Sequence, residues 1–348
     1  MRSTRAVTPF VCFVVLAGCA FGQANTGTLL GSVTDQSGAA ILKAGLTLIE
    51  LATGAARDTT PDAAGLFQFV NVRPGKYSLA ATAPAFKTYE LRGIELSTAE
   101  VRDVGTLILQ LGPVDDQITV TAEATPVQTA SSERSALIEG ARLDLLALKG
   151  RDPFGYIRLS PGVVDTIPNR DMANASSMAG ISINGAFSTA KGVTLDGVSE
   201  TDAGGLNSTY VTPNIDAIAE VRILSSGYQA EFGRHSGGTI SIVTKSGTRD
   251  FHGTGHWDHR HEDMNANTFF NNRSGIPRPL YRYMIAGYGV GGPIYIPEKF
   301  NTDRHKLFFF LSQEFTQVKC RPRSWPSMSQ LCSSEAATFP KPETRSAP

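Results

Sequence analysis

Cysteine is missing from the whole body of this chain. Its four copies fall at Cys12, Cys19, Cys320 and Cys332. The long stretch between them therefore holds no disulfide scaffold, no metal–thiolate site and no cysteine nucleophile, a pattern that suits export. Charge is sparse and balanced: charged residues make up 18%, with Lys plus Arg and Asp plus Glu at 32 each. That balance excludes a whole-protein field for nucleic acid or an anionic membrane surface. Long apolar runs are also absent. Val11 to Ala17 is the apolar core of the N-terminus, and a bilayer needs roughly 20 such residues. Any membrane insertion must then use β-strands. Enzyme signatures are lacking too, with no Gly-x-Ser-x-Gly elbow, paired His-Glu motif or P-loop. Gly287-Tyr288-Gly289-Val290-Gly291-Gly292 is glycine-rich, but no helical pattern follows it as a dinucleotide loop requires.

What is present points to β structure. The 34 glycines and 19 prolines suit a turn-rich chain, and 41% hydrophobic residues are enough for buried cores. Residues 1–24 read as an export signal: Arg2 and Arg5 give the positive start, and Gly22-Gln23-Ala24 offers cleavage after Ala24. A rival ending is the lipobox-like Leu16-Ala17-Gly18-Cys19, which would acylate Cys19. Both endings stand open.

Residues 25–111 carry short alternating runs between turns. They begin at Leu29 to Thr34, Leu46 to Glu50, Gly65 to Phe69, Pro74 to Ala80 and Val104 to Leu109. The spacing predicts a small β-sandwich, with Phe67, Phe69, Tyr77 and Leu79 filling the gap between sheets. Asp35 and Asp62 read as turn caps. The ordered pieces GSVTDQSGA, ATG and DAAGLFQFVNVRPGKYSLAATAPAF resemble a carboxypeptidase regulatory-like domain of the prealbumin type. That fold is grouped with carbohydrate-binding-like modules. Tyr77, Phe86 and Tyr89 are the candidate stacking residues, with core packing the plainer role for each.

Residues 112–124 break the sandwich at Gly112-Pro113. The β-prone peptide Ile118, Thr119, Val120, Thr121, Ala122 is similar to a TonB box, which pairs edge-to-edge with a periplasmic energy transducer. The alternative is a last strand of the sandwich. Residues 125–248 begin with an expected helix over Ala136 to Leu146, ended by Lys149 to Pro153, then a second over Tyr156 to Val163. Strands follow at Ile181 to Gly185, Val193 to Val198 with an Asp-Gly hairpin turn, Glu220 to Leu224 and Gly238 to Lys245. The order LSPGV, SINGA, VTLDGV, IDAIAEVRI and YQAEFGRHSGGTISIVTKSG resembles the plug domain of TonB-dependent receptors, of the Oar-like kind. Asn184, Gly185, Asp196, Gly197, Gly233, Arg234, Gly237 and Gly238 are the residues that match. The resemblance implies that the loops near Asn184 and Asp196 face a lumen. The glycines are expected in tight turns against a barrel wall.

Residues 249–319 open with four histidines and four carboxylates between Asp250 and Asp263. A metal set of His252, His256 and Asp258 is conceivable there, but Arg260 shares their strand face. The resemblance supplies a first barrel strand with Trp257 toward lipid. Tyr281 to Ile294 and Leu307 to Glu314 read as further strands. This stretch holds about three or four membrane strands, against at least about eight for a closed wall, so transport by this stretch alone is not expected. Residues 320–348 show no strand alternation. They read as a frame-shifted tail or a disordered natural end.

The expected fold is mainly β. It comprises an N-terminal prealbumin/Ig-like β-sandwich, an α+β plug, and the first strands of an incomplete antiparallel transmembrane β-barrel. The resemblance implies an outer-membrane receptor of a Gram-negative-type bacterium, which takes up a bulky ligand of carbohydrate or peptide class. Its partners would be a TonB-type transducer and outer-membrane lipid, with no nucleic acid, cofactor or catalysis. The alternative is a periplasmic or surface carbohydrate-binding module.

Overall fold

Alternating side chains over the first hundred residues produce seven strands in a computed structural model. It describes residues 26–113, 116–121, 131–146, 151–167, 170, 178–205, 207–229 and 232–320. The export signal with Cys19, residue Ala122 and the tail 321–348 lie outside these. The strands are β1 (Gly27–Asp35), β2 (Gly45–Glu50), β3 (Ala56–Thr59), β4 (Leu66–Val72), β5 (Gly75–Thr82), β6 (Thr88–Leu96) and β7 (Val101–Leu109). β4, β1 and β7 form one sheet. The facing sheet runs β3-β2-β5-β6, and β8 (Gln117–Thr121) adds to its edge, parallel to β6. Leu29, Val33, Phe67, Phe69, Leu107 and Leu109 of the first sheet meet Leu46, Leu48, Tyr77, Leu79, Leu91 and Ile94 of the second. The period-two reading of Phe67, Phe69, Tyr77 and Leu79 holds. Leu79 is wholly buried; truncating such a side chain to Ala costs about 2–5 kcal/mol.

The two aspartate caps are as expected. Asp35 Oδ1 accepts from the amides of Ser37 and Ala39 at 2.8 and 2.9 Å. Asp62 Oδ1 accepts from Ala64 and Leu66 at 2.8 and 2.9 Å. Tyr77 lies in the core with its hydroxyl donating to the Arg73 carbonyl at 2.7 Å. Phe86 and Tyr89 are half-buried against that core, so none of the three stacking candidates presents a free ring.

The central unit is α+β. It contains β9 (Arg134–Glu139), α1 (Gly140–Leu145), α2 (Pro153–Ile157), β10 (Val163–Asp165), β11 (Ile181–Ile183), β12 (Lys191–Leu195), β13 (Val198–Ser199), β14 (Ile218–Ser226) and β15 (Gly238–Thr244). Its main sheet runs β13-β12-β15-β14-β9, with β12 parallel to β15. Two helix expectations are corrected. Residues 136–139 are strand, because Ile138 pairs with Val221 and points into the core; the free edge of β14 outcompetes a short local helix. Asp152-Pro153 starts α2 instead of ending its predecessor. Asp152 Oδ1 accepts from the Phe154 amide at 2.9 Å, and Pro153 takes the first turn, where no N–H is needed.

The last sheet is an antiparallel meander of β16 (His252–Arg260), β17 (Tyr281–Pro293) and β18 (Phe308–Cys320). Among the described residues it is open, not closed on itself. β18 runs one residue beyond the expected end of the barrel strands, with Cys320 opposite Tyr281. Phe251, Trp257, Val290, Leu311 and Phe315 form an exposed apolar outer face, whereas His256, Gly287 and Glu314 align on the inner face. Trp257 stacks on His259 at 5.6 Å. A short helix α3 (Phe269–Arg273) sits in the β16–β17 connection. The sandwich touches the opposite end of this sheet. There the Arg249 amide donates to Ala52 O at 3.1 Å, and His305 Nδ1 lies 2.9 Å from Thr53 O. Among the described residues no helix is long and apolar enough to cross a membrane.

Candidate functional site

The sequence-predicted residues fall in three places, and the fold adds a fourth. Ile118 to Thr121 lie on β8, so the last-strand alternative describes their conformation, and the break expected at residues 112–124 is corrected to that extent. Ile118 pairs with Tyr89 and Val120 with Leu91, because the Val/Ile/Thr run suits a pleated edge. All but the half-buried Ile118 are exposed, and among the described residues the outer side of β8 has no neighbouring strand.

Asn184-Gly185 and Asp196-Gly197 each have consecutive left-handed residues, with φ of 51° and 74°, and 48° and 87°. These are the tight turns that Asn-Gly and Asp-Gly favour. Asp196 Oδ1 and Oδ2 accept from the amide and hydroxyl of Thr244 at 2.9 and 2.8 Å. Asn184 Nδ2 donates to Ser225 O at 3.0 Å. Their polar groups are thus engaged in holding turns. Gly233 and Arg234 line a cavity beside the sandwich. Gly237 and Gly238 correct an expectation about their surroundings. A side chain on Gly237 would meet Ala186 Cβ at 2.9 Å, and one on Gly238 would meet Leu224 O at 2.6 Å. The close approach is within the central unit, not against the last sheet.

The histidine-rich strand provides the third place. His252, His256 and Asp258 share no common partner. His252 Nδ1 lies 3.2 Å from Thr248 Oγ1 and its ring packs on Phe310. His256 belongs to an ionic cluster between the central unit and the last sheet. Its Nδ1 is 2.5 Å from Asp216 Oδ2 and its Nε2 is 3.4 Å from Glu314 Oε2. Arg151 joins both acids, with Nη2 at 2.9 Å from Asp216 Oδ1 and Nε at 3.5 Å from Glu314 Oε2. Asp258 stands further out, 3.9 Å from Arg151 Nη1. Arg151 Nη2 donates a hydrogen bond to Asp216 Oδ1, whereas both ring nitrogens and Glu314 Oε2 are close to their partners without hydrogen-bond geometry. Gly287 makes the cluster possible. It sits opposite both His256 and Glu314, and any β-carbon there would collide with the imidazole. Asn214 and Ser312 add a neighbouring tie at 2.9 Å.

The fourth place is the seam between the sandwich and the central unit. The β6–β7 turn inserts Thr98, which is fully buried. Its amide donates to Glu220 Oε1 at 2.6 Å and its carbonyl accepts from Arg222 Nη1. Arg222 Nη2 also donates to Glu133 Oε1 at 2.7 Å and to Ser135 Oγ at 3.2 Å. Burial pushes the Glu220 carboxyl up to about 6, against the pull of the Thr98 amide and Arg222. A further buried set, Asp152–Arg170–Asp165, lies inside the central unit with contacts of 3.2 and 2.5 Å. Burial raises Asp152 to about 6 despite Arg170. At Asp165 burial is outweighed by Arg170 and the Ile167 amide, so its carboxyl stays below the usual range.

Sequence reasoning missed Arg151, Asp216, Glu314 and Arg222. Their partners lie far away in the chain, and the only local trace is the glycine opposite a histidine in β17.

Comparison with known proteins bears on the two outer parts. Residues 28–110 match the carboxypeptidase regulatory-like domain, and residues 243–326 match the outer membrane beta barrel domain. The chain is 28% identical over 249 residues to the TonB-dependent transporter Oar of Myxococcus xanthus, covering 69% of this chain and 23% of that protein. Among solved structures, the siderophore receptor PirA from Acinetobacter baumannii has a TM-score of 0.37 at 19% identity, covering 53% of this chain and 24% of that one. A ferric enterobactin receptor from Pseudomonas aeruginosa in complex with enterobactin has a TM-score of 0.36 at 15% identity, covering 55% and 26%. The fold and the two domain matches give a carboxypeptidase regulatory-like domain at residues 28–110 and an outer-membrane β-barrel segment at residues 243–326. Within that frame the chain is similar to the TonB-dependent transporter Oar, and it spans less than a quarter of the length of the Myxococcus protein. The named relatives are transporters and receptors.

Proposed function

We propose that this chain supplies the docking and gating parts of a TonB-dependent outer-membrane transporter for a bulky ligand. In this reading the central unit is the plug, and β8 is the strand on which a TonB-type transducer docks. The observation that carries it is the placement of β8, a five-residue exposed edge strand between the sandwich and the central unit. An incoming strand gains main-chain hydrogen bonds there, and the Ile118/Val120 alternation gives register. The ionic cluster at His256 then holds the plug against the wall and is the contact that must yield on opening. The carbohydrate-module alternative gains no support from Tyr77, Phe86 and Tyr89, whose rings pack on the sandwich core.

The test is site-specific photocrosslinking in living cells, with the probe at exposed Thr119 and, as control, at Thr106 on the other sheet. A transducer adduct from Thr119 alone, dependent on an energised inner membrane, is the expected result. No adduct, or equal adducts from both positions, rejects β8 as the docking strand.

A further inference from the structure

A cavity of about 580 Å³ lies in the seam between the sandwich and the central unit. That volume falls within the range of small-molecule sites, about 300–1,000 Å³. Thr26, Asn71 and Ala99 wall it from the sandwich. From the central unit come β12, β13, the segment around Arg234 and the start of β15.

The lining points to one chemistry. Among the described residues no carboxylate lines it, whereas the Arg234 guanidinium does, without an ion pair or hydrogen bond. Hydroxyls of Ser199 and Thr239 supply donors and acceptors around the wall, and that of Thr194, which donates to Ser241 Oγ at 3.3 Å, adds an acceptor. Thr239 is nine-tenths buried or more, and its Oγ1 has no hydrogen-bond partner in the protein. A buried hydroxyl left in that state carries a desolvation cost that a bound polar group removes. Phe232 gives the cavity an apolar wall of the kind that takes the face of a sugar ring. His235 stands beside Arg234, held in place under Gly192, where a β-carbon would collide with its ring. Burial and the neighbouring Arg234 depress its pKa, so the neutral imidazole offers one donor and one acceptor. Three of the ten non-glycine residues with left-handed backbone among the described residues, Asn71, Ala99 and Arg234, border this one cavity.

We propose that this seam cavity is a binding site for a small hydroxylated carboxylate of the sugar-acid type. Arg234 takes the carboxylate, and Thr239, Thr194 and Ser199 take the ring hydroxyls. The walls belong to two units, so the ligand ties the sandwich to the central unit next to the Thr98–Arg222 contact. The site is separate from β8 and from the ionic cluster, and stands whether or not the transport reading does.

The experiment is calorimetric titration of the full chain in detergent with galacturonate, galactose and inorganic phosphate. Galacturonate should bind saturably, and galactose at least tenfold more weakly. Arg234→Gln should remove that preference while leaving the circular-dichroism spectrum unchanged. Thr239→Val discriminates a ligand contact from a structural one. With no partner to lose, it should leave the melting temperature unchanged or raised, yet weaken galacturonate several-fold. Equal binding of the two sugars, no binding of either, or an Arg234→Gln variant with undiminished preference overturns the proposal. Full displacement of galacturonate by equimolar phosphate reduces the cavity to an anion site and overturns it as a sugar-acid site.

Discussion

Arg222→Met tests whether the seam between sandwich and central unit is a structural clamp. Arg222 is 4% exposed, and its guanidinium serves Glu133, Ser135 and the Thr98 carbonyl together. The Glu133 side chain is 2% exposed. Replacing the arginine with an apolar residue of similar length keeps the packing and strands a buried carboxylate. Breaking one side of such a pair costs about 3–5 kcal/mol. The orphaned Thr98 carbonyl adds to this, though not additively, because both losses relax together. We expect about 4 kcal/mol for the single variant, which is a fall in melting temperature of about 8–16 °C for a unit of 150–250 residues. The double variant Arg222→Met/Glu133→Leu removes both charges and should recover most of that loss. Hydrogen exchange provides the local readout: amides of β9 and of residues 97–100 should lose protection in the single variant and regain it in the double. A single variant within about 1 kcal/mol of the parent, or a double as damaged as the single, refutes the clamp.

Two further outcomes follow. Asp152 and Glu220 both have folded-state pKa values raised to about 6 by burial. The folded chain therefore holds protons that the unfolded chain releases, and their contribution to stability is lost as pH rises through about 6. Each is worth about 2–3 kcal/mol at 1.36 kcal/mol per unit. Urea titrations should show stability growing as pH falls from 7 to about 5, before Asp35 and Asp202, whose turn hydrogen bonds depress their pKa, begin to protonate. A rise in stability from pH 5 to 7 counts against this account. In the second case, Gly287→Val drives a branched side chain into His256 and toward Gln313 O at 2.9 Å. It should cost about 1–3 kcal/mol by overpacking, and proteolysis should then release the central unit from the last sheet. Unchanged protease resistance would show that the cluster tolerates displacement.

Local chemistry made much of this fold legible. The sandwich core follows from two-residue alternation at Phe67/Phe69 and Tyr77/Leu79, and the hairpin at Asp196-Gly197 follows from the left-handed backbone those residues accept. The inner and outer faces of β16 also follow from alternation, with His256 and Asp258 inside and Trp257 outside. What escaped was decided by distant partners. Residues 136–139 have an acceptable helical pattern and became strand because β14 offered an unpaired edge. The role of His256 depends on Arg151, Asp216 and Glu314, which approach it only in the folded chain, so a histidine-rich strand first suggests metal. For the sandwich aromatics Tyr77, Phe86 and Tyr89, packing is the plainer reading of the sequence, and the two sheets in place bear it out.

The parallel pairing of β8 with β6 has a consequence for any pull on it. Both strands point the same way, so the chain leaves β8 at the end of the sandwich that carries the Thr98 turn and the seam. If a transducer docks on β8 as proposed, its pull enters the sandwich at the end that Thr98 and Arg222 clamp to the central unit.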